Sequence, residues 1–212
     1  MRHSMLQMHS FELFLAAAVV LAITPGPGIF YVLTRTLAGG RRDGMLSAGG
    51  TLLGGMFHVF AAALGVSAIL AASAVAFAVV KYTGAAYLVY LGFRLIRCRD
   101  FSLNLAQPSA PKGTFRQGIA TEVLNPKTAL FFLSFIPQFI HPERGHVFAQ
   151  FVTLGVISVG LNTSADIAVA FLAGALGNKL KQSTRLMRRQ RVFSGLAMIG
   201  LGVYVAAAGD AK

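Results

Sequence analysis

The sequence predicts an all-α integral membrane protein, with six transmembrane helices arranged as two inverted three-helix repeats. Three observations favour this class. Of the 212 residues, 55% are hydrophobic and 12% are charged, whereas a soluble domain usually carries about 25% charged residues. The charges fall between long uncharged runs, each close to the roughly 20 residues that a membrane-spanning helix needs. The first helix of each half contains a proline break. This composition excludes a disordered chain and most soluble enzymes.

The positions of the helices follow from the uncharged runs. Charged residues are absent from the runs 13–34, 145–165 and 192–209. The run 44–93 contains Lys81 as its single charge and is too long for one crossing, so it divides into two helices. A further apolar stretch covers 118–140. We therefore place six helices near 11–34, 46–70, 75–97, 118–140, 148–174 and 192–208.

The first apolar segment has an alternative interpretation as a cleaved signal peptide, since Arg2 and His3 precede it. No A-x-A-type cleavage site follows, and the apolar run continues through Leu33. We therefore expect a membrane helix here. Met1, Met5 and Met8 are all candidate starts, and no functional residue depends on the choice.

Lysine and arginine mark the cytoplasmic side of a membrane protein. In this chain they are concentrated in the loops after predicted helices 1, 3 and 5, of which the basic loop 98–116 is the longest. These loops and the adjoining helix ends contain Arg35, Arg41, Arg42, Arg94, Arg97, Arg99, Lys112, Arg116, Lys179, Lys181, Arg185, Arg188, Arg189 and Arg191. Both termini are therefore expected outside and the basic loops in the cytoplasm. The net charge of +12 then reflects topology and contact with anionic lipids, and no nucleic-acid partner is expected.

The chain also divides into two halves within one transporter domain, 1–212. Repeat 1 covers about 11–97 and repeat 2 about 117–208. Because each half has three helices, the second half must insert upside down relative to the first. Inverted repeats with a broken helix in each half are typical of secondary transporters, whose substrate site lies at the repeat interface. The alternative is two ordinary proline kinks, since proline is frequent in membrane helices.

The residues of the two breaks are the candidates for substrate binding. Proline removes a backbone donor and frees a carbonyl inside the membrane, where only protein or a water-filled cavity can satisfy it. The candidates are Thr24, Pro25, Gly26 and Pro27 at the first break, Asn125, Pro126 and Lys127 at the second, and Asn162 in helix 5.

Ionisable groups inside the predicted spans are costly to insert, so each is a candidate for function. Asp166 and Lys127 lie at similar depth in helices 5 and 4, and we expect them to form a pair that faces the interior. Asp166, Glu122 and His58 are the candidates for proton coupling. Glu122 has an alternative role as a helix cap or interfacial acid, and His58 as a neutral packing residue. Lys81, near the outer end of helix 3, could extend its ammonium to the interface.

Other motifs point to packing rather than chemistry. Gly50 and Gly54 have the GxxxG spacing, which brings helices together within one subunit or between copies in a homo-oligomer. A single cysteine, Cys98, excludes an internal disulfide or a CxxC motif. We expect no cofactor and no bound metal. A metal-ion or other small-metabolite exporter stays an alternative, and a membrane-embedded enzyme is less favoured because no HExxH or GxSxG motif occurs.

Several short motifs occur together along the chain. They are Thr24-Pro25-Gly26-Pro27, the glycine-rich run 39–65, the run 81–92 that begins Lys81-Tyr82-Thr83-Gly84, Phe115-Arg116-Gln117-Gly118, Leu124-Asn125-Pro126-Lys127 and Pro137-Gln138-Phe139. In combination they resemble the LysE/RhtB family of amino-acid exporters, the LysE-type translocators. The resemblance covers nearly the whole chain and is strongest over 20–140. One departure is Gly28, where many members of the family have asparagine.

The resemblance implies a transporter in the cytoplasmic (inner) membrane of a bacterium. It implies export of amino acids or close derivatives, driven by the proton gradient. A zwitterionic substrate needs a cation or helix N-terminus for its carboxylate and an acceptor for its ammonium. We expect the half-helix after Pro126, with Lys127 at its start, to bind the carboxylate. The freed carbonyls near Thr24, together with Asp166, are expected to bind the ammonium.

Overall fold

The structure, a computed structural model, describes residues 2–24, 26–97, 113–180 and 184–207. Within these ranges the chain is helical apart from short turns, and it contains no strand. The helices are α1 Arg2–Ile23, α2 Pro27–Ala72, α3 Ala74–Arg97, α4 Thr114–Val123, α5 Pro126–Leu130, α6 Val147–Leu180 and α7 Thr184–Ala207. A π-helical segment, Phe131–Phe135, and a 3-10 turn, Ile136–Phe139, continue α5, and a second 3-10 turn covers Pro142–Arg144.

Three helices are long and apolar enough to cross a membrane. They include the segments Pro27–Ile69, Val75–Arg94 and Val147–Ala173. A fourth candidate span is the pair Thr114–Val123 and Pro126–Phe139, which is bent by 43°. The prediction of an all-helical, multi-pass membrane protein is therefore confirmed for the described residues. Six spans in two inverted repeats stay a prediction.

The predicted loop between helices 1 and 2 is a kink: the 46-residue stretch Pro27–Ala72 consists of two helices that join without a loop. The direction of α2 changes at Gly40, whose backbone is not helical, with φ 77° and ψ −171°. That combination is essentially confined to glycine. One glycine thus makes the bend for which the sequence suggested a loop.

The helices pack through a core of aromatic and branched side chains. α2 packs against α4 and α6, and α3 packs against α7. The main cluster includes Phe14, Val59, Phe131, Phe135 and Phe151, all buried. Large apolar side chains are exposed on the outer surface, as expected for helices surrounded by lipid.

The glycines of α2 allow α4 to approach very closely. A Cβ atom at Gly50 would overlap the Phe115 carbonyl oxygen and lie 3.0 Å from the Cα of Gly118. A Cβ at Gly54 would lie 2.8 Å from the carbonyl oxygen of Ile119. The GxxxG spacing therefore serves contact between two helices of the same chain.

Candidate functional site at two helix breaks

The first break lies between α1 and α2. α1 ends at Ile23, the backbone of Gly26 is extended with φ −145° and ψ −178°, and α2 begins at Pro27. Pro25 lies outside the described residues, but as a proline it has no N–H for the carbonyl of Leu21, its partner in an uninterrupted helix. The Leu21 carbonyl accepts instead from the Thr24 N–H at 3.1 Å, which leaves one of its two acceptor positions for a further donor.

Lys127, from the second half of the chain, supplies that donor. Its ammonium donates to the carbonyl oxygens of Thr24 at 2.9 Å and Leu21 at 3.2 Å. A Cβ at Gly26 would stand 3.1 Å from the Lys127 ammonium, so the lysine lies directly against the first break. The cation also lies where the helix dipole of α1 is negative. The group expected to bind a substrate carboxylate and the carbonyls expected to bind its ammonium therefore satisfy each other.

The second break, between α4 and α5, repeats the problem of a freed carbonyl. α4 ends at Val123, and Pro126 has no N–H to donate to the carbonyl of Glu122. That carbonyl instead accepts hydrogen bonds from the Asn125 N–H at 3.0 Å and from His58 Nε2 at 2.9 Å. The Asn125 side-chain oxygen caps α5 by accepting from the Lys127 N–H at 3.1 Å.

The carboxylate of Glu122 is held at the start of α5. One oxygen accepts from the Thr128 hydroxyl at 2.6 Å, and the other accepts from the Asn125 side-chain amide at 3.1 Å. The side chain is 1% exposed. Glu122 therefore does not extend to the membrane interface.

Asp166 is fully buried, and only one of its two carboxylate oxygens has a hydrogen-bond partner among the described residues. Its Oδ2 accepts from the Thr51 hydroxyl at 2.7 Å, and its Oδ1 has no hydrogen-bond partner in the part of the chain that the structure describes. The expected direct pair with Lys127 is wrong, because the lysine ammonium is directed to the α1 carbonyls instead. The charges of Asp166 and Glu122 still act on Lys127, so the three groups form one electrostatic cluster.

A narrow cavity adjoins both breaks. Its lining residues are Ala18, Leu21, Ala22, Thr51, Gly55, Glu122, Thr128, Phe131, Phe132, Ser158, Val159 and Asn162. Asn162, a predicted site residue, is therefore placed beside Glu122. The polar lining residues Thr51, Thr128 and Ser158 were not predicted. Their only signal in the sequence is a hydroxyl within an apolar helix, which is common in membrane helices.

Two cations lie elsewhere than expected. Lys81 does not reach the interface: it is 1% exposed, and its ammonium lies 5.3 Å from the centre of the Tyr82 ring. Arg35 lies within α2 rather than in a loop, buried, and donates from Nη2 to the side-chain oxygen of Gln117. Tyr31, one turn earlier, donates to the carbonyl of Thr114 at 2.6 Å. These contacts join α2 to the beginning of α4.

The fold and the site define a multi-pass membrane protein in which two interruptions between helices lie beside a cavity that carries a few polar groups. Residues 19–209 match the LysE type translocators, and the chain belongs to this family. The resemblance found in the sequence is thereby confirmed. The protein is a transporter and not an enzyme.

Relatives cover nearly the full length of the chain. The membrane protein YrhP of Bacillus subtilis is 30% identical over 92% of this chain and 98% of its own. A homoserine/homoserine lactone efflux protein of Salmonella typhi is 28% identical over 92% and 95%. A leucine efflux protein of Salmonella choleraesuis is 29% identical over 91% and 92%. No solved structure shows a significant match.

Proposed function

We propose that this protein exports amino acids or close derivatives from the cytoplasm, and that the cavity between the two breaks binds them. One observation carries the proposal. Lys127 of the second break is bonded to a carbonyl of the first break, and residues next to both breaks line a cavity with polar groups in an otherwise apolar interior. Efflux proteins among the relatives support the substrate class. These relatives are named for efflux of homoserine, homoserine lactone and leucine. All three compounds carry an α-amino group.

The chain crosses the membrane six times, as two inverted repeats. At 1.5 Å per residue α2 is roughly 70 Å long, more than twice the hydrocarbon thickness of about 30 Å. Division at Gly40 assigns its first part, with α1, to span 1 and the remainder to span 2. In such a repeat, spans 1, 2 and 3 correspond to spans 4, 5 and 6. The contact of α1 (span 1) with α6 (span 5) then corresponds to the contact of α4 (span 4) with α2 (span 2), and both contacts are present. This equivalence supports the inverted repeat.

The protein lies in the bacterial inner membrane with both termini outside. The basic segments then face the cytoplasm and its anionic lipids. The buried contacts of Tyr31 and Arg35 with α4 lie at that end of the molecule and close the cavity toward the cytoplasm.

Substrate binds between the first-break residues Thr24, Pro25, Gly26 and Pro27 and the second-break residues Asn125, Pro126 and Lys127. Asn162 and Glu122 contribute side chains from the cavity wall. The two breaks can change their separation only if the Lys127 ammonium leaves the carbonyls of α1. Breaking and re-forming the hydrogen bonds of Lys127 to α1 is therefore part of the transport cycle.

Asp166 carries the coupling proton. A buried carboxylate with one unpartnered oxygen is stabilised by a proton, which neutralises its charge and lets Oδ1 act as a donor or acceptor. Glu122 and His58 lie next to the cavity in positions to exchange that proton with substrate or water.

The test uses proteoliposomes that contain the purified protein and labelled leucine or homoserine. Wild type should release the label faster when a proton gradient is imposed, and a protonophore should abolish that stimulation. Asp166→Asn should still exchange internal label for external amino acid while losing the response to the gradient. Glu143→Gln, which changes an exposed acid outside the site, is the matched control.

The outcomes separate the parts of the proposal. Release by Asp166→Asn that still responds fully to the gradient would remove Asp166 as the proton carrier. Absence of both release and exchange for a panel of amino acids, with folded protein in the vesicles, would overturn amino-acid export itself.

A further inference from the structure

The cavity contains one acid and no base. Glu122 is the single charged residue among the described residues that line it, and none of them is lysine, arginine or histidine. Lys127 is the nearby cation, but its ammonium is bonded to the Leu21 and Thr24 carbonyls of α1. A ligand in the cavity therefore meets a negative charge and neutral hydroxyl and amide groups.

The Glu122 carboxylate retains capacity to bind a ligand. Two oxygens offer about four acceptor positions, and hydrogen bonds from Thr128 and Asn125 use two of them. Both donors fix the orientation of the carboxylate, so it is arranged before a ligand arrives. Hydroxyl oxygens of Thr51 and Ser158 and the amide of Asn162 surround the same space.

Gly28 makes room for this carboxylate. A Cβ at position 28 would lie 2.6 Å from Oε2 of Glu122, well inside van der Waals contact. Any side chain there would push the carboxylate away from its position. Gly28 and Glu122 thus form a matched pair, contributed by α2 and α4.

We propose that the exporter recognises its substrates by their α-ammonium group, which binds the Glu122 carboxylate in the position that Gly28 allows this carboxylate to adopt, and that it does not require a free carboxylate. An ammonium offers three donors, which suits one carboxylate and neighbouring neutral oxygens. While the Lys127 ammonium is held by the α1 carbonyls, the carboxyl end of the substrate meets no cation, so masking its charge removes no ionic contact. Amino-acid amides, esters and lactones are then substrates, whereas N-acylated amino acids are not.

This inference rests on the proposed amino-acid export, and competition experiments distinguish the two. Proteoliposomes exchange labelled leucine in the presence of unlabelled leucine, leucinamide or N-acetylleucine. Leucinamide should compete within about threefold of leucine, while N-acetylleucine should be at least about 30-fold weaker, since an ionic contact is lost. Competition by N-acetylleucine but not leucinamide would overturn the proposal. A second series consists of homoserine, its lactone and its N-acetyl derivative. Absence of any exchange would count against amino-acid export itself.

Two variants test the proposed contact. Glu122→Gln removes the charge, and Gly28→Ala leaves the charge in place but displaces the carboxylate. Each should weaken competition by leucine and leucinamide alike by about tenfold or more. Gly65→Ala, on the same helix with nothing within 4 Å of the added Cβ, is the control and should match wild type. Folding is checked by thermal melting in detergent. Unchanged affinities in a folded Gly28→Ala protein would contradict the role of this pair.

Discussion

At the first helix break the freed carbonyls accept from a lysine ammonium of the other half of the chain, whereas at the second break the freed carbonyl accepts from the His58 imidazole. No described side chain caps the start of α2 at the first break, while Asn125 caps the start of α5 at the second, with the Glu122 carboxylate beside it. The two breaks thus differ in the chemistry of the groups that satisfy them.

The difference teaches which break depends on the other. The second break is satisfied by Asn125 and by His58 of α2, so it keeps its partners if α1 moves. The first break depends on Lys127: if the second break moves away, the Thr24 carbonyl loses this donor and the Leu21 carbonyl keeps only the Thr24 N–H. Three substitutions examine this asymmetry.

Lys127→Met should have the largest effect. It leaves the buried Thr24 carbonyl without its lysine donor, reduces the Leu21 carbonyl to the Thr24 N–H, and removes a buried cation. We expect a loss of about 1–3 kcal/mol in the free energy of unfolding and no measurable exchange, which thermal melting and exchange in proteoliposomes measure. Lys127→Arg keeps the charge and should recover part of the stability. Equal melting temperatures for Lys127→Met and wild type would show that the first break does not need the cation.

Pro126→Ala should impair transport more than stability. The new N–H can donate to the Glu122 carbonyl and so compete with His58, which favours a straight helix over the 43° bend. We expect exchange about tenfold slower and unfolding unchanged to within about 1 kcal/mol. Pro142→Ala, in an exposed 3-10 turn, is the matched control. Exchange at the wild-type rate would mean that the bend at the second break has no part in transport.

His58 substitutions should have the smallest effect. His58→Phe removes the side-chain donor to the Glu122 carbonyl, which still accepts from the Asn125 N–H, so we expect about 1 kcal/mol of destabilisation. His58→Gln retains a donor and should melt closer to wild type. If His58→Phe melts like wild type and His58→Gln melts lower, the hydrogen bond contributes nothing and ring packing against Phe132 accounts for the residue.

Much of the site could be predicted from the sequence, because the groups concerned are conspicuous in an apolar chain. Prolines and charges within spans identified Lys127, Glu122 and Asp166 as interior residues, and all three are buried. Their partners could not be predicted in the same way. Depth along two helices suggested a pair between Asp166 and Lys127, but depth does not specify how the helices are rotated about their axes.

The contributions of Thr51 and Gly28 were missed for a related reason. A threonine in an apolar helix usually bonds its own backbone, and only the packing of α2 against α6 brings Thr51 to Asp166. Gly28 matters for the space that it leaves beside a residue 94 positions later. Such a relationship has no periodicity along the chain, so neither hydropathy nor spacing can reveal it.

Gly40 has a different kind of importance. Among the described residues, no atom outside its own stretch of helix lies within 4 Å of the place where its Cβ would be, so crowding does not explain the glycine. Its requirement comes from φ alone, since a residue with a side chain would be strained by about 1–3 kcal/mol in this conformation. A position that touches nothing therefore determines the angle between the two parts of α2. A map of contacts would rank Gly40 among the least important residues, although the path of the chain depends on it.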